Sequence, residues 1–524
     1  MTQDAPRRGP LPSPPWPVLP ARRRWPLQVT AATRRIEIDA ARALPPHTLM
    51  ARAGRSAARL LQALAPHAAG TLALAGPGNN GGDATVAATV LHRPDRPSRI
   101  VLLADAARLP PDAAWALAQA QAAGVRVSGA LDTVQHGEAV LDGLLGLGAA
   151  RAPAGTLADA ITHLNRSDAI VLAIDVPSGL DPDRGAVLGI EALRATHTLA
   201  LLTLKPGLFT AAGRDHAGRV WFDPLGVDFE DRPGPCALIG PQDARLGRLG
   251  APHAAHKGRF GDVVVIGGAR GMDGAVRLAA RAALVAGAGR VYATPLDAAA
   301  RGADPAWPEV MHRPSDAWTT PPAVSSRTVV AGCGGGDSIG AALPPLLAHA
   351  ARLVLDADAL NAIARDPALQ RALAARGARG RPTILTPHPL EAARLLGIDA
   401  AAVQADRFAA CRALVGRFGA TVVLKGSGTL IGGPDGRLWV NTTGNARLAS
   451  AGTGDVLAGW IGGVWARVAS AADADDPVGG LAAEVAIAAV FVHGRAADAD
   501  DADDAPGLPL RAGELIDAMR RVRV

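Results

Sequence analysis

An acidic residue directly follows a turn of small residues late in the sequence. The turn is Ala451-Gly-Thr-Gly454, and Asp455 stands where an apolar run begins. A turn of this kind opening into a helix leaves backbone N–H groups aimed at one point, where the helix dipole also attracts an anion. A carboxylate placed there can accept the proton of a hydroxyl that attacks phosphorus. The pattern is typical of phosphoryl transfer, although an acid in a first helical turn is also common without any chemistry.

In the first half of the chain, three polar clusters each follow an apolar stretch that predicts a strand. These clusters are Asn79–Asp83, Asp142–Gly148 and Asp175–Ser178. Oxygen atoms of Asn80, Asp142 and Ser178, together with backbone carbonyls, would suit a hard cation, and their single formal charge favours a monovalent ion. In the alternative interpretation, these side chains only cap the helices that follow.

In the second half, four further clusters follow predicted strands in the same way. These clusters are Gly332–Gly336, Asp356–Asn361, Thr386–Pro389 and Lys425–Thr429. Each has a structural alternative, since His388 can be a structural histidine and Asp356 and Asp358 can cap the next helix. If the strands belong to one parallel sheet, the clusters lie along one rim of it.

The elements that must position these clusters alternate between short strands and helices. Apolar runs such as Thr71–Ala75, Ala139–Asp142 and Asp262–Ile266 are separated by helical patterns. This alternation predicts an α/β fold class, with parallel sheets, crossover helices and ligands beyond the carboxyl ends of the strands. The glycine loop after Thr71–Ala75 lacks the Gly-Lys-Ser/Thr of a Walker loop.

Composition divides the chain into a tail and two domains. Residues 1–26 are rich in proline and arginine, which predicts a disordered tail. Residues 225–252 have little regular pattern and several prolines, which predicts a domain boundary near residue 230. The predicted domains are therefore 27–232 and 233–524.

Charge and residue usage limit the expected partners and compartment. The 524 residues carry a formal net charge of +6 without a basic, aromatic-interleaved stripe, so we expect no nucleic acid partner. No apolar run reaches the roughly 18 residues of a membrane span, and the N-terminal pattern does not predict a signal peptide. Few, widely spaced cysteines predict a reducing compartment, and we expect the cytoplasm. Among 54 basic residues the only lysines are Lys205, Lys257 and Lys425, which indicates positions where a compact ammonium is needed.

The first half resembles the YjeF N-terminal family, the NAD(P)HX epimerases, over roughly residues 30–228. The shared motifs, in the family's order, are Gly76-Pro-Gly-Asn-Asn-Gly-Gly-Asp83, Asp142-Gly-Leu-Leu-Gly-Leu-Gly148, Asp175-Val-Pro-Ser-Gly-Leu180 and Thr203-Leu-Lys-Pro-Gly-Leu208. The resemblance implies a Rossmann-like domain with a potassium ion. It would interconvert the R and S forms of hydrated NADH or NADPH, which carry a hydroxyl at carbon 6 of the nicotinamide ring.

The same resemblance implies roles for individual residues. Substrate contacts are implied at Asn79, Asn80, Gly81, Gly82, Asp83, Gly146, Leu147, Gly148, Ala149, Ala150, Arg151, Ala152 and Asp175. Asn80, Asp142 and Ser178 would hold the potassium ion. Asp175 would be catalytic, moving a proton as the carbon 6 hydroxyl leaves and returns. The chain departs from the family at Ala51, where glutamate is frequent, and at Ala84, where glycine is usual.

The second half resembles the ADP- or ATP-dependent NAD(P)HX dehydratases, a branch of the ribokinase-like fold. The shared motifs are His256-Lys-Gly, Gly267-Gly268 with Gly274-Ala275, Asp356-Ala-Asp-Ala-Leu-Asn361, Leu385-Thr-Pro-His-Pro389, Lys425-Gly-Ser-Gly-Thr429 and Gly452-Thr-Gly-Asp455. The resemblance implies substrate contacts at Ala275, Gly334, His388 and Asp455. It also implies an adenine nucleotide site lined by Lys425, Gly426, Ser427, Gly428, Thr429 and Gly454.

The implied reaction gives Asp455 a catalytic role. Asp455 would draw the proton from the carbon 6 hydroxyl, which attacks the terminal phosphate of ATP or ADP. Backbone amides of Gly452–Gly454 and a magnesium ion would spread the developing charge. Departures from the family are Cys333, where proline is usual, and Ala451, where glycine is usual. Ala451 would be strained if its position requires a positive φ angle.

We therefore expect a bifunctional repair enzyme, an epimerase joined to a kinase-like dehydratase. Its expected partners are the hydrated nucleotide, an adenine nucleotide and a second copy of the chain in a homo-oligomer. The alternative is a ribokinase-like kinase for small metabolites, with a first domain that binds a ligand without catalysis.

Overall fold

The computed structural model describes residues 13–131, 133–149, 151–229, 234–248, 253–300, 302, 304–318, 320–471, 480–500 and 508–523. The chain divides into two compact units at Pro235 and Cys236, and Ala21–Trp25 also belong to the second unit. The predicted boundary between residues 232 and 233 lies in a segment, 230–233, that is outside the described residues.

The N-terminal part of the chain contains strands and helices in alternation, as predicted. Its strands are β1 Trp16–Pro17, β2 Trp25–Leu27, β3 Gly70–Ala75, β4 Ser98–Leu102, β5 Arg126–Ser128, β6 Glu138–Gly143, β7 Val171–Ile174, β8 His197–Leu201 and β9 Arg219–Asp223. Its helices are α1 Thr30–Ala43, α2 Thr48–Leu64, α3 Asn79–Leu91, α4 Pro111–Ala122, α5 Thr156–Asn165 and α6 Gly213–His216. The sequence patterns did not predict β8 and β9.

The sheet of the first unit has its switch point between β3 and β6. In the described residues the strand order is β1-β9-β8-β7-β6-β3-β4-β5, and the pairs from β9 to β5 are parallel. Residues Leu74 and Ala75 pair with Asp142 and Gly143 at this point. Ligands of parallel α/β sheets bind where the strand order reverses, beyond the carboxyl ends. The predicted polar clusters follow β3, β6 and β7, so all three begin at this edge.

The second unit repeats this architecture with more strands. Its strands are β10 Cys236–Leu238, β11 Asp262–Gly267, β12 Arg290–Pro295, β13 Met311–His312, β14 Thr328–Ala331, β15 Arg352–Leu355, β16 Thr383–Leu385, β17 Thr421–Leu424, β18 Leu430–Gly432 and β19 Leu438–Val440. Its helices are α7 Asp273–Val285, α8 Pro321–Val324, α9 Leu343–His349, α10 Ala357–Arg365, α11 Pro367–Ala378, α12 Pro389–Leu396, α13 Ala400–Ala405, α14 Arg407–Phe418, α15 Thr453–Ala471, α16 Gly480–Asp500 and α17 Ala512–Arg521.

In the sheet of the second unit, the strand order reverses between β11 and β14. Among the described residues its order is β13-β12-β11-β14-β15-β16-β17-β18-β19-β10-β2, and β18 is antiparallel to both of its neighbours. Helix α15 packs closely on α7, because a Cβ atom added to Gly459 would lie only 2.0 Å from the Ala279 carbonyl oxygen. Gly459 thus allows the close contact that positions α15, the helix that carries Asp455 in its first turn. Among the described helices, none has the length and apolar character needed to cross a membrane.

The prediction of a disordered tail is wrong for the part of it that the structure describes, residues 13–26. Trp16–Pro17 pair with β9, and Trp25 begins strand β2. Val18 and Trp25 are buried, with 0% and 3% of their surface exposed. The apolar residues between the prolines give this segment enough surface to bury, which the overall Pro and Arg content hides. Residues 1–12 lie outside the described residues.

Candidate functional site

A cavity of about 540 Å³ lies in the first unit at the carboxyl ends of the strands. This volume is in the range of small-molecule sites. Of the predicted substrate residues, the lining contains Asn79, Asn80, Asp83, Gly146, Leu147, Gly148, Ala149 and Asp175. The structure therefore brings three of the sequence motifs to one cavity.

The other predicted contacts of this group do not line the cavity. Gly81 and Gly82 allow close packing of α3, since added Cβ atoms would lie 2.3 Å from the Gly76 carbonyl oxygen and 2.5 Å from Met50 Cε. Arg151 and Ala152 are exposed, and Ala150 lies outside the described residues.

Asp175 is held in an unusual backbone conformation beside a buried lysine. Its φ angle is +68°, a region that few non-glycine residues occupy and that is frequent at functional sites. Its Oδ1 atom accepts hydrogen bonds from the Leu201 backbone N–H, at 3.1 Å, and from Lys205 Nζ. Lys205 is fully buried and also donates to the Leu201 carbonyl oxygen at 2.7 Å. The Asp175 carboxylate thus has a fixed position and an adjacent positive charge.

The predicted potassium ligands lie around the loop after β6. Asp142 is fully buried, and its carboxylate accepts hydrogen bonds from Ser178 Oγ at 2.6 Å and from the Ser178 backbone N–H at 2.9 Å. Burial raises the pKa of Asp142 to about 6, although the bonds from Ser178 oppose this shift. Asn80 donates its amide hydrogen to the Leu145 carbonyl oxygen at 2.8 Å, which leaves its Oδ1 atom as a free acceptor among the described residues. The set of oxygen donors fits a monovalent cation.

The cavity also contains carboxyl groups that the sequence analysis did not assign. Glu37 of α1 and Asp112 of α4 line it together with Asp83 and Asp175. Burial first, and then the charge of Asp175, raise the pKa of Glu37 and raise the pKa of Asp83 well above its ordinary value. Ala51, the departure from the family pattern in α2, is not part of the lining.

In the second unit, a lysine again neutralises an aspartate at the end of a strand. Lys425 follows β17 and its Nζ lies 2.8 Å from Asp356 Oδ1, which follows β15. Thr386, after β16, donates its hydroxyl to the same Asp356 oxygen at 2.7 Å. Burial opposes the charge of Lys425, but Asp356 and then Glu391 outweigh it and raise the pKa of the ammonium group. Three neighbouring strands thus supply one charged cluster.

Asp455 stands in the first turn of α15, within reach of this cluster. A side-chain oxygen of Asp455, one of Asp356 and the Cys333 sulfur all lie within 4.8 Å of one another. Burial and the Asp356 charge raise the pKa of Asp455 to about 6, while its hydrogen bond with Cys333 lowers it. Burial and the Asp455 charge raise the pKa of the Cys333 thiol well above its usual range. The thiol therefore keeps its proton and donates a hydrogen bond to the Asp455 carboxylate.

His388 caps helix α12 and lies beside Glu391. Its Nδ1 atom accepts the backbone N–H groups of Leu390 and Glu391 at 3.1 and 3.3 Å. Burial and then Lys425 lower the pKa of His388, so the neutral ring carries its proton on Nε2, which lies 3.1 Å from Glu391 Oε1. The hydrogen bonds of His388 therefore agree with the structural alternative considered in the sequence analysis. The loop that carries His388 also contains residues next to Lys425.

The predicted nucleotide loop is a turn between β17 and β18. Gly426 and Gly428 have φ angles of +130° and +62°, and Thr429 Oγ1 donates to the Gly426 carbonyl oxygen at 3.0 Å. Ser427 lies between these glycines. The buried Arg407 guanidinium holds the loop through the carbonyl oxygens of Leu424 and Lys425, at 3.1 and 3.2 Å.

The start of α15 closes the site on the side of Lys425. A Cβ atom added to Gly454 would lie 3.5 Å from Lys425 Nζ, so this backbone is close to the ammonium group. The positive φ angle of the turn, +88°, is at Gly452. Ala451 is not among the described residues with positive φ, so the expected strain at this position is absent.

Gly334 and Ala275 lie side by side after strands β14 and β11. A Cβ atom added to Gly334 would lie 2.8 Å from Ala275 Cβ, and the Gly334 φ angle is +59°. Strands β11 and β14 thus bring together the two glycine segments that follow them, as the parallel topology predicts.

Comparison with known proteins assigns both units. The family described as YjeF-related protein N-terminus matches residues 46–207, and the family described as NAD(P)H-hydrate dehydratase matches residues 263–520. The bifunctional NAD(P)H-hydrate repair enzyme of Escherichia coli is 34% identical over 466 residues, covering 86% of this chain and 85% of that protein. The chain belongs to the bifunctional NAD(P)H-hydrate repair enzymes. The predicted family, the α/β fold class and the joining of an epimerase to a dehydratase are confirmed.

Two further relatives match the dehydratase unit of this repair enzyme. The ADP-dependent (S)-NAD(P)H-hydrate dehydratase of Neisseria meningitidis is 42% identical over 272 residues, covering 51% of this chain and 87% of that protein. The crystal structure of an ADP/ATP-dependent NAD(P)H-hydrate dehydratase from Bacillus subtilis, co-crystallised with ATP and Mg²⁺, is 27% identical with a TM-score of 0.42. It covers 53% of this chain and 95% of that one.

The sequence analysis did not assign several ionisable residues that lie beside predicted site residues. These residues are Glu37, Lys205 and Glu391. Lys205 had a signal, because lysine is rare in this chain and the residue lies in a family motif. Glu37 and Glu391 had none, since each is one acid in an ordinary helical pattern.

Proposed function

We propose that this protein repairs hydrated NADH and NADPH in two steps, one in each unit. The first unit interconverts the R and S epimers, and the second dehydrates the S epimer with ATP or ADP as phosphoryl donor. The observation that carries the proposal is the Asp455 carboxyl group at the start of α15. With a pKa of about 6 and a fixed thiol donor, it can accept a proton near neutral pH.

In the dehydratase unit, Asp455 takes the proton of the carbon 6 hydroxyl while that oxygen attacks the terminal phosphorus. Lys425 and the backbone N–H groups at Gly452–Gly454 stabilise the negative charge that develops on the phosphoryl group. The ring nitrogen lone pair then expels phosphate, which is a better leaving group than hydroxide. Loss of a proton from the neighbouring ring carbon restores the dihydropyridine. Ala275, Gly334 and His388 line the substrate side, and Gly426–Thr429 lie on the nucleotide side.

Magnesium would bind together with the nucleotide. The atoms of Cys333, Asp356 and Asp455 are close enough to share an ion, but they do not suit magnesium. The Cys333 thiol is protonated and soft, and Asp356 is already paired with Lys425. Magnesium prefers water and phosphate oxygens, so we assign it no protein ligand of its own.

In the epimerase unit, Asp175 moves a proton as the carbon 6 hydroxyl leaves and returns. Asn79, Asp83 and Gly146–Ala149 contact the substrate in the cavity. Asn80, Asp142 and Ser178 would hold a potassium ion. When bound, it would supply a positive charge that favours the ionised Asp142 and attracts the substrate phosphates.

The decisive test is a repair assay with the full chain. The protein is incubated with mixed NADHX epimers, potassium, magnesium and either ATP or ADP, and the reduced-cofactor absorbance is followed. Complete recovery of NADH from both epimers supports the proposal. A phosphorylated product that accumulates without NADH would instead identify a small-metabolite kinase.

We also propose that the protein works in the cytoplasm as a homo-oligomer. The support for a reducing compartment is that all three cysteines, Cys236, Cys333 and Cys411, are buried, and that Cys333 and Cys411 form no disulfide. Analytical ultracentrifugation of the full chain tests the oligomeric state.

A further inference from the structure

Among the described residues, four carboxyl groups line the epimerase cavity: those of Glu37, Asp83, Asp112 and Asp175. Two of them have basic partners. Asp175 pairs with Lys205, and Asp112 lies 2.6 Å from His47 Nδ1. The carboxyl groups of Glu37 and Asp83 form no hydrogen bond or ion pair with the described part of the chain. Two cavity carboxyls are therefore available for a ligand.

Helix α1 presents Glu37 to the cavity from a firmly held position. Thr33, Arg34, Glu37 and Ala41 line the cavity, and Glu37 lies three or four residues from each of the others, which places them on one face. The Thr33 hydroxyl lies 2.7 Å from the Thr203 hydroxyl, two residues before Lys205. The helix carrying Glu37 is thus tied to the segment that holds the cation beside Asp175.

Inversion at carbon 6 makes a demand that one carboxylate does not meet. The hydroxyl must leave from one face of the ring, and water must add to the other. The departing oxygen needs a proton, and the incoming water must lose one. Two groups on separate elements can serve both faces at once, as in reactions where two carboxyls take different roles.

We propose that Glu37 is the second catalytic residue of the epimerase, acting as the acid while Asp175 acts as the base. This inference rests on the proposed function of the first unit. Glu37 gives its proton to the carbon 6 hydroxyl, the C–O bond breaks, and water leaves as the ring nitrogen lone pair forms a C=N bond. Asp175 then takes a proton from the water that adds to carbon 6, and the C=N electron pair returns to nitrogen. The opposite epimer reacts by the reverse sequence, with the two roles exchanged.

Asp83 is the competing acid, and its surroundings make it less suitable. Burial and then the Asp175 charge raise the pKa of Asp83 well above its ordinary value, which favours the protonated acid over the proton exchange that each cycle requires. Glu37 is half-buried, and burial and the Asp175 charge raise its pKa while Lys205 and Arg34 oppose the shift. The charged or titratable groups that act on Glu37 are Arg34, Asp83, Asp112, Asp175 and Lys205.

The test compares Glu37→Gln with Asp83→Asn in the full chain. Purified R-NADHX is incubated without nucleotide, so that the dehydratase is silent, and the epimers are separated by chromatography over a range of pH. The matched control is Asp39→Asn, an exposed carboxylate of the same helix. Dehydration of S-NADHX with ATP checks that the second unit is intact, and a denaturant titration of each variant checks that the first unit is folded.

We expect Glu37→Gln to lower kcat of epimerisation by roughly 10²–10⁴-fold, with a much smaller change in KM. The loss of wild-type activity at high pH, where the pair of carboxyls loses its shared proton, should disappear in this variant. Asp39→Asn should behave like the wild type, and all variants should retain dehydration. Full epimerisation by Glu37→Gln, or loss of the high-pH limb in Asp83→Asn alone, would overturn this inference and leave the proposed function intact. A wild-type protein that does not interconvert the epimers would overturn both.

Discussion

The two units each contain a lysine paired with an aspartate at the carboxyl end of a parallel sheet, but the pairs are used differently. In the epimerase unit, Lys205 is paired with Asp175, the proposed base itself. In the dehydratase unit, Lys425 is paired with Asp356, and the proposed base, Asp455, has a thiol as its neighbour. In the epimerase unit, the paired aspartate is thus the proposed base itself. In the dehydratase unit, the lysine–aspartate pair lies beside the proposed base.

This difference shows how two similar folds arrange a base for two reactions. Asp455 forms no ion pair with a described residue, and burial with the nearby Asp356 charge raises its pKa to about 6. It therefore accepts a proton readily, while Lys425 remains next to the backbone of Gly454, where a phosphoryl group would bind. No anion has to be bound beside Asp175 during epimerisation. Lys205 can therefore remain paired with the Asp175 carboxylate.

The largest expected effect separates the two bases. Asp455→Asn should lower dehydration by roughly 10³-fold or more, because the hydroxyl would lose its proton acceptor. Epimerisation should be unchanged, since it takes place in the other unit. The measurement is NADH recovery from S-NADHX, with the exposed Asp337→Asn as the control. Recovery at the wild-type rate would refute the role of Asp455.

The three lysines provide a comparison of stability. Lys205→Met leaves the Asp175 carboxylate buried without its partner, which should lower the free energy of unfolding by about 3 kcal/mol. Lys425→Met should cost less, because the Lys425 side chain is 19% exposed and Asp356 keeps its bond from Thr386. Lys257 is exposed, so Lys257→Met should have almost no effect. Denaturant titrations of the full-length variants measure this order, and equal values for Lys205→Met and Lys257→Met would contradict it.

Potassium should affect one unit and not the other. Ser178→Ala removes the hydroxyl that contacts Asp142 and a proposed ligand, and we expect epimerisation to require roughly tenfold more potassium. Dehydration should show no corresponding change. Epimer exchange measured against KCl concentration at constant ionic strength tests this expectation. Identical potassium curves for variant and wild type would remove Ser178 from the proposed ion site.

The smallest expected effect concerns the pH dependence of dehydration. Asp455 must be ionised to act as a base, so the rate should fall as the pH decreases through its pKa of about 6. The Cys333 hydrogen bond lowers this pKa, and Cys333→Ala should therefore move the acidic limb to higher pH by a fraction of a unit. Rate profiles of both proteins measure the shift. A shift to lower pH would mean that the thiol does not stabilise the carboxylate.

Much of the fold was predictable because parallel sheets have a simple sequence pattern. Buried strands such as β3 and β11 are continuous apolar runs, and the glycine or polar clusters after them mark the rim where ligands bind. Strand β8 was missed although Thr198–Leu201 has the same Thr-Leu-Ala-Leu pattern as β3, whereas in β9 the apolar residues of Arg219–Asp223 stand between charged ones. The tail was misjudged because its pairing with β9 is a long-range contact that its own composition does not indicate.

Residue usage also carried partial information about the sites. The rarity of lysine indicated Lys205 and Lys425, and both are paired with an aspartate at a strand end. Lys257, by contrast, is exposed, and for this residue the indication stays a prediction. Composition can indicate that a residue type is retained for a reason, but it does not distinguish a buried partner from a surface position.

The order of the motifs, the two α/β units and the family could be predicted without coordinates, because these depend on residues that are close together in the chain. Which charges meet could not be predicted in this way. Lys425 and Asp356 are 2.8 Å apart although 69 positions separate them, and Glu37 of helix α1 lines the same cavity as Asp175, which follows β7. The pKa values of Asp455 and Glu37 depend on burial and on neighbouring charges from distant segments. Both are consequences of packing, which local patterns do not encode.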